Sequence, residues 1–222
     1  TIVVACVLLN EHDEVLMVQE AKSACAGKWY LPAGRANPHE TLSAAALREL
    51  EEETGLQARL TTLLVVESAA GRWFRYVFTA EATGGELKTP ARADAESLQA
   101  KWVAEPEQLP LRATDLLPLV EQARARKSAS RRHPDLMPAP RPHTLNLLRL
   151  VAVIKRRSTN RVHVLLGEKT ALHLPTVEIH PSRNLHSTLR KFLVEIFGAD
   201  LPQHRPHGLL SVEHSPAGPD EE

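Results

Sequence analysis

Glu49, Glu51, Glu52 and Glu53 fall within five consecutive positions of the stretch GRANPHETLSAAALRELEEETGL, Gly34 to Leu56, with Glu40 a little upstream. On a helix turning about 100° per residue, Glu52 lies about 60° from Glu49 on one side and Glu53 about 40° on the other. These three carboxylates share a ridge, Glu51 points away, and Leu47 and Leu50 lie on a flank that can face a sheet. The arrangement is poor for stability. Like charges at i,i+3 and i,i+4 cost roughly 0.2–0.5 kcal/mol per pair, and negative charge opposes the macrodipole at a helix C-terminus. Arg48 offsets only part of this. A solvated acidic face would tolerate these costs without explaining the clustering. A hard divalent cation explains it, because Mg²⁺ or Mn²⁺ takes carboxylate oxygens and leaves positions open for water and phosphate. The residues thus predict a metal site for magnesium, with manganese as the alternative.

The elements that must hold this ridge follow from pattern. Ile2–Leu9 reads as a buried strand, and Glu14–Gln19 as its partner across the polar turn NEHD. A helix is predicted from Thr41 to Thr54, capped by Thr41 or Ser43 and ended by Gly55 in the left-handed conformation. Strands are expected at Thr61–Glu67 and Arg72–Ala80, then a TGGELK turn, a strand at Lys101–Val103 and a helix over Arg112–Arg126. Trp29 is expected as core. Phe74 and Tyr76, alternating on one strand, read as core before base-stacking residues.

Written out, the motif is Gly34, five residues, Glu40, seven residues, then Arg48-Glu49-Leu50-Glu51-Glu52-Glu53-Thr54-Gly55-Leu56. It resembles the Nudix signature at every defined position. The resemblance implies an α/β fold, the Nudix α/β/α sandwich with a mixed sheet, over residues 1–123. It implies hydrolysis of a nucleoside diphosphate linked to another group. It also implies that Glu49, Glu52 and Glu53 are catalytic metal ligands, that Gly34 contributes its carbonyl, and that Arg48 orients the carboxylates. A further glutamate supplies another ligand or the base. Glu96 in DAESLQAKW is the candidate, with Asp94 equally close. The base stays open among Glu49, Glu53 and Glu96. Lys22 and Arg35 flank the expected entry and are weighed as phosphate-binding residues against ordinary surface charge. The flanks EHDEVLMVQEAK, GKWYLPAGR, TGGELKT and DAESLQAKW narrow the resemblance to members that act on 8-oxo-guanine nucleoside diphosphates, giving monophosphate and phosphate. Asp94 and Asp115 are conceivable readers of the oxidised base. The alternatives are a diphosphatase for ADP-ribose or a dinucleoside polyphosphate, and a nucleotide-binding module without turnover.

Beyond this region, residues 124–144 are basic and proline-rich and read as a linker. Arg131 and Arg132 raise a nucleic-acid patch, but no aromatic residues interleave, so a solvated charge run is the reading. Past the linker the pattern recurs. Val4–Lys22 aligns with Val151–Lys169, Leu31-Pro32 with Leu174-Pro175, and Leu42–Gly55 with Leu185–Gly198. Residues 145–222 are therefore expected to form a second, degenerate Nudix-like domain, incomplete because the chain ends near the counterpart of residues 70–75. Phe192, Ile196 and Val177 stand opposite Glu49, Glu53 and Gly34, Lys191 stands opposite Arg48, and only Glu195 keeps a carboxylate. One carboxylate cannot hold the cluster, so no catalysis is expected there. That domain is expected to pack on the first or on a partner.

Composition bounds the rest. Lys+Arg and Asp+Glu balance at 27 each, so net charge favours neither polynucleotide nor membrane, and a small nucleotide is the expected partner. Cys6 and Cys25 make no disulfide framework or zinc pattern, which suits the cytoplasm, or the nucleus as alternative. The opening TIVVACVLLN falls short of the 18 or so apolar residues of a membrane span and reads as a strand.

Overall fold

The computed structural model describes residues 1–70, 72–130, 133–168, 171–201 and 207–216. Two compact units emerge: Thr1–Glu67, Trp73–Pro142 and the residues from Gly208 make one, and Ser68–Arg72 with His143–His207 make the other.

In the first unit, strand β1 (Ile2–Leu8) sets the layering through its two-residue period. Val4, Cys6 and Leu8 face one apolar cluster, and Ala5 and Val7 face a second. A strand buried on both faces is continuously apolar, as IVVACVL is. Strand β2 (Val15–Glu20) divides in the same way, Leu16 and Val18 to the first cluster and Val15 and Met17 to the second. Strands β3 (Trp29–Tyr30) and β4 (Ala33–Arg35) precede helix α1 (Leu42–Thr54), which seals the first cluster through Leu42, Ala45, Ala46 and Leu50. Strands β5 (Leu56–Ala69), β6 (Trp73–Gly85) and β7 (Ser97–Val103) follow. Helix α2 (Leu116–Ser128) then closes the second cluster with Leu116, Leu119, Val120 and Ala123. The order β4-β1-β6-β5 forms a mixed sheet, β1 antiparallel to β4 and parallel to β6, and β3-β2-β7 forms a second, antiparallel one.

Three expectations are corrected. β1 and β2 are not a hairpin; a bridge from Leu9 to Val15 joins them, after which each enters a different sheet. A strand has two edges, and β1 gives both to β4 and β6. The TGGELK stretch is not a turn. β6 continues through Gly85, and Glu86 and Lys88 donate their backbone N–H groups to Gly55 and Thr54 at the end of α1. Finally, α2 begins at Leu116, not Arg112, because residues 110–112 run extended beside β3, exchanging hydrogen bonds with Trp29.

The proline-rich segment departs from the linker reading. Residues up to Ser128 finish α2, and Leu136 then pairs with β5, its carbonyl accepting from Leu63 N at 2.7 Å and its N–H reaching Thr62 Oγ1 at 2.8 Å. Strand β8 (Ala139–Pro140) lies parallel to a late strand at Glu213–His214, and Leu136 and Val212 pack on the first cluster. Arg131 and Arg132, the basic pair, lie outside the described residues.

The second unit holds β9 (Leu147–Arg149), the hairpin β10 (Val153–Lys155) with β11 (Val162–Val164), β12 (Gly167–Glu168), β13 (Leu172–His173) and β14 (Thr176–Glu178). Helix α3 (Leu185–Phe197) follows, and the late strand of the first unit is β15 (Glu213–His214). The aligned features recur in part. α3 is capped by Asn184 as α1 is by Thr41, but β14 pairs antiparallel with β9 so that Val177 meets Leu148, not Val151, the residue aligned with the Val4 that Gly34 meets. The expected second Nudix-like fold goes no further. Among the described residues only two-stranded ladders form, and Val153, Ile154, Val162 and Val164 stay exposed. Phe192 and Ile196 are half-buried, and Glu195 is exposed beside Lys191. No helix among the described residues is long and apolar enough to cross a membrane.

Candidate active site

Helix α1 presents the ridge. Thr41 Oγ1 accepts from Ala44 N at 3.1 Å to start it, and Gly55, at φ 75°, ends it. Leu50 turns into the core, which leaves Glu49 and Glu53 buried at its margin, and Glu52 and Glu51 exposed. The exposed Glu51 carboxylate accepts from Gln57 Nε2 at 3.4 Å. Glu49, Glu52 and Glu96 each offer a carboxylate oxygen within 4.8 Å of the others. Glu96 arrives from the loop before β7, held by its carbonyl, which accepts from Ala21 N at 3.2 Å. Asp94, weighed beside it, turns elsewhere: its carboxylate meets Lys88 at 2.7 Å and caps the N–H groups of Glu96 and Ser97.

Arg48 organises one side of the ridge. Its guanidinium forks onto Glu40 with two bonds of 2.9 Å, and donates to Glu49 at 2.8 Å, Glu52 at 3.0 Å and the Arg35 carbonyl at 3.0 Å. Glu40 is itself tied to Asn37 N at 3.0 Å. These contacts push the Arg48 pKa up, the bond to Glu40 foremost. Gly34, on β4, lies so close that a Cβ there would fall 2.0 Å from the Glu49 carboxyl carbon. Any side chain at that position would displace the carboxylate.

Glu53 sits apart from the three. It is 3% exposed, and its Oε2 accepts from Ala33 N at 2.9 Å. Burial pushes its pKa up to about 8; the Ala33 hydrogen bond and Lys22 oppose this, while Glu49 and Glu20 add to it. Burial likewise raises Glu49, against the pull of Arg48. Such crowding of carboxylates is what a divalent cation would relieve, and oxygen donors are its preferred ligands. The residues present fit the cation.

Lys22 is exposed, close enough to Glu53 to lower its pKa, and the Arg35 side chain is exposed at the end of β4. Trp29 is core, with the Lys101 ammonium 4.4 Å from its ring centroid. Tyr76 packs on the first cluster, edge-on to His214, and Phe74 is half-buried. Asp115 is engaged by Tyr30 and by buried Arg75, which also binds Glu67 at 2.6 Å.

Two charged groups escaped the sequence reading. Glu20, at the end of β2, is buried and paired with Arg112 at 2.7 Å. Lys88 is buried too, and binds the end of α1. Arg112 lies 92 residues from Glu20, and the Glu52 carbonyl lies 36 residues from Lys88, so neither contact has a local signal.

Comparison with known proteins identifies a family over the residues that carry this site. Residues 1–123 match the NUDIX domain. The 8-oxo-dGDP phosphatase NUDT18 of Homo sapiens is 49% identical over 174 residues, 78% of this chain and 53% of that protein. Its Danio rerio counterpart is 36% identical over 218 residues, 96% of this chain and 67% of that protein. The chain thus spans about half the length of its human relative. Among solved structures, a NUDIX hydrolase from Nitrosomonas europaea aligns with TM-score 0.50 and 26% identity, covering 57% of this chain and 71% of that one. With the motif, the mixed sheet and the match in agreement over the same residues, the chain belongs to the NUDIX family.

Proposed function

We propose that the first unit hydrolyses the terminal phosphoanhydride of oxidised guanine nucleoside diphosphates, 8-oxo-dGDP and 8-oxo-GDP, to the monophosphate and inorganic phosphate. Such an activity would clear damaged nucleotides from the pool. The observation that carries a hydrolytic site is the convergence of Glu49, Glu52 and Glu96, carboxylates from two separate elements, within 4.8 Å. The choice of substrate is supported by the relatives' names alone.

Glu49, Glu52 and Glu96 would hold magnesium, or manganese in its place, with Glu53 and the Gly34 carbonyl completing the set that the motif implies. When bound, the cation supplies charge neutralisation at the phosphoryl oxygens. Arg48 keeps Glu49 and Glu52 on one side of the ridge through its bonds to both. Water attacks the terminal phosphorus, its proton passes to one carboxylate among Glu49, Glu53 and Glu96, and the bond to the bridging oxygen breaks. Lys22 and Arg35, both exposed, would meet the substrate phosphates. The site is assigned to the cytoplasm, with the nucleus as alternative.

A phosphate-release assay on 8-oxo-dGDP, with ADP-ribose and a dinucleoside polyphosphate alongside, tests this reading. Glu52→Gln and Glu53→Gln should each lose about 100-fold or more in kcat while staying folded, the scale of removing one electrostatic stabiliser. Preference for ADP-ribose would replace the substrate. Nucleotide binding without turnover in the wild type would make the unit a binding module.

A further inference from the structure

Helix α1 ends with its last carbonyls pointing at one segment. The Glu52 carbonyl accepts from Lys88 Nζ at 2.6 Å, the Glu53 carbonyl from Ser97 Oγ at 3.0 Å, the Thr54 carbonyl from Lys88 N at 2.7 Å, and the Gly55 carbonyl from Glu86 N at 3.2 Å. Helix-terminal carbonyls need such partners, and a cation there also complements the macrodipole. The last turn of α1 contains no basic residue of its own. Lys88 brings that charge from outside the helix.

Its ammonium has three donors, and each is used. Besides the Glu52 carbonyl, Nζ binds Asp94 Oδ2 at 2.7 Å and Ser97 Oγ at 2.8 Å. Asp94 and Ser97 bracket Glu96, and Asp94 Oδ1 accepts from both Glu96 N and Ser97 N at 3.0 Å. Lys88 is 7% exposed, so these are bonds of a buried ion, in which losing one partner is expensive. One side chain therefore grips the backbone of Glu52 and both flanks of Glu96. Those carboxylates come from different elements, and nothing in their own sequence sets the gap between them.

We infer that Lys88 is a positioning residue that sets Glu96 against the α1 carboxylates, so that the cation site is assembled by a buried lysine outside the family motif. This rests on the reading of that cluster as a cation site. The same segment explains the glycines: a Cβ on Gly55 would lie 2.3 Å from the Glu86 carbonyl oxygen, and one on Gly85 2.3 Å from the Gly55 carbonyl oxygen. The helix end and the strand end are thus in direct backbone contact, and Lys88 locks that contact.

The test is a double-mutant cycle on Mn²⁺ affinity, read by electron paramagnetic resonance of the free ion with the full chain and no nucleotide. Lys88→Met and Glu96→Gln should each weaken binding about 10-fold to 100-fold, the range for residues that orient metal ligands. If Lys88 acts through Glu96, the double variant binds no more than about twofold worse than Glu96→Gln alone, a coupling that independent sites do not show. Ser97→Ala, which removes one acceptor, should weaken binding less, and likewise lose its effect in the Glu96→Gln background; it carries the test if Lys88→Met fails to fold. Wild-type affinity in Lys88→Met, or single-variant losses that multiply in the double variant, would overturn this inference and leave the cation site standing. No Mn²⁺ binding by the wild type would overturn the cation site, and the role of Lys88 with it.

Discussion

Gly34 and Glu49 compete for one volume, and the glycine yields. Gly34→Ala would put a methyl group 2.0 Å from the Glu49 carboxyl carbon, and the far end of a flexible side chain is what must move. The expected outcome is a loss of Mn²⁺ affinity of about 10-fold or more, with thermal stability within about 1 kcal/mol of wild type, measured by metal titration and melting side by side. The two tyrosines carry a second residue-scale prediction. Burial pushes Tyr30 and Tyr76 up to about 12, and at Tyr30 the Arg75 guanidinium opposes this while Asp115 reinforces it. An unfolded tyrosine ionises near about pH 10, so the folded state keeps its protons longer than the unfolded one. Stability from these groups is intact below about pH 10 and falls as pH rises toward about 12. Ultraviolet titration of phenolate should show no native transition at the ordinary tyrosine value, and denaturation midpoints should decline only above it.

At the scale of the element, α1 is defined at both ends by residues that its sequence displays. Thr41 caps it through Ala44 N, and Gly55 closes it at φ 75°. Thr41→Ala should cost about 1 kcal/mol by denaturant unfolding. Gly55→Ala should cost more, beyond the roughly 1 kcal/mol of forcing a side chain into the left-handed region, because a Cβ would also meet the Glu86 carbonyl oxygen at 2.3 Å. Caps are legible because they are local. The start of β5 was not, since Gln57 and Arg59 look like loop residues until alternation places both on the exposed side. Nor was the end of β6, since TGG resembles a turn wherever it occurs. Here it is the close approach of two chain segments that requires a glycine.

At the scale of the molecule, the proline-rich stretch after α2 belongs to the first unit, which resumes at Gly208 after the second. Leu136 is half-buried against the first cluster and pairs with β5. Leu136→Ala is therefore expected to lower stability by about 1–2 kcal/mol, below the roughly 2–5 kcal/mol of a fully buried leucine. Guanidinium unfolding measures it. A free linker would show no change. The second unit keeps the helix that its alignment predicts, yet its strand pairing falls outside the aligned register and it builds no larger sheet among the described residues.

The sequence by itself determined the acidic ridge, the helix that carries it and its closing Gly55, and narrowed the opening cap to Thr41 or Ser43, because helical geometry and capping act within a few residues. It also determined that β1 is a buried strand. Only the tertiary structure decided which strands pair, since an apolar strand accepts any neighbour its edges can reach. It likewise decided that Glu96, not Asp94, faces Glu49 and Glu52, and that Lys88 stands between the helix and the loop. Those placements join residues distant in the chain, and the packing of α1 against β7 brings them together.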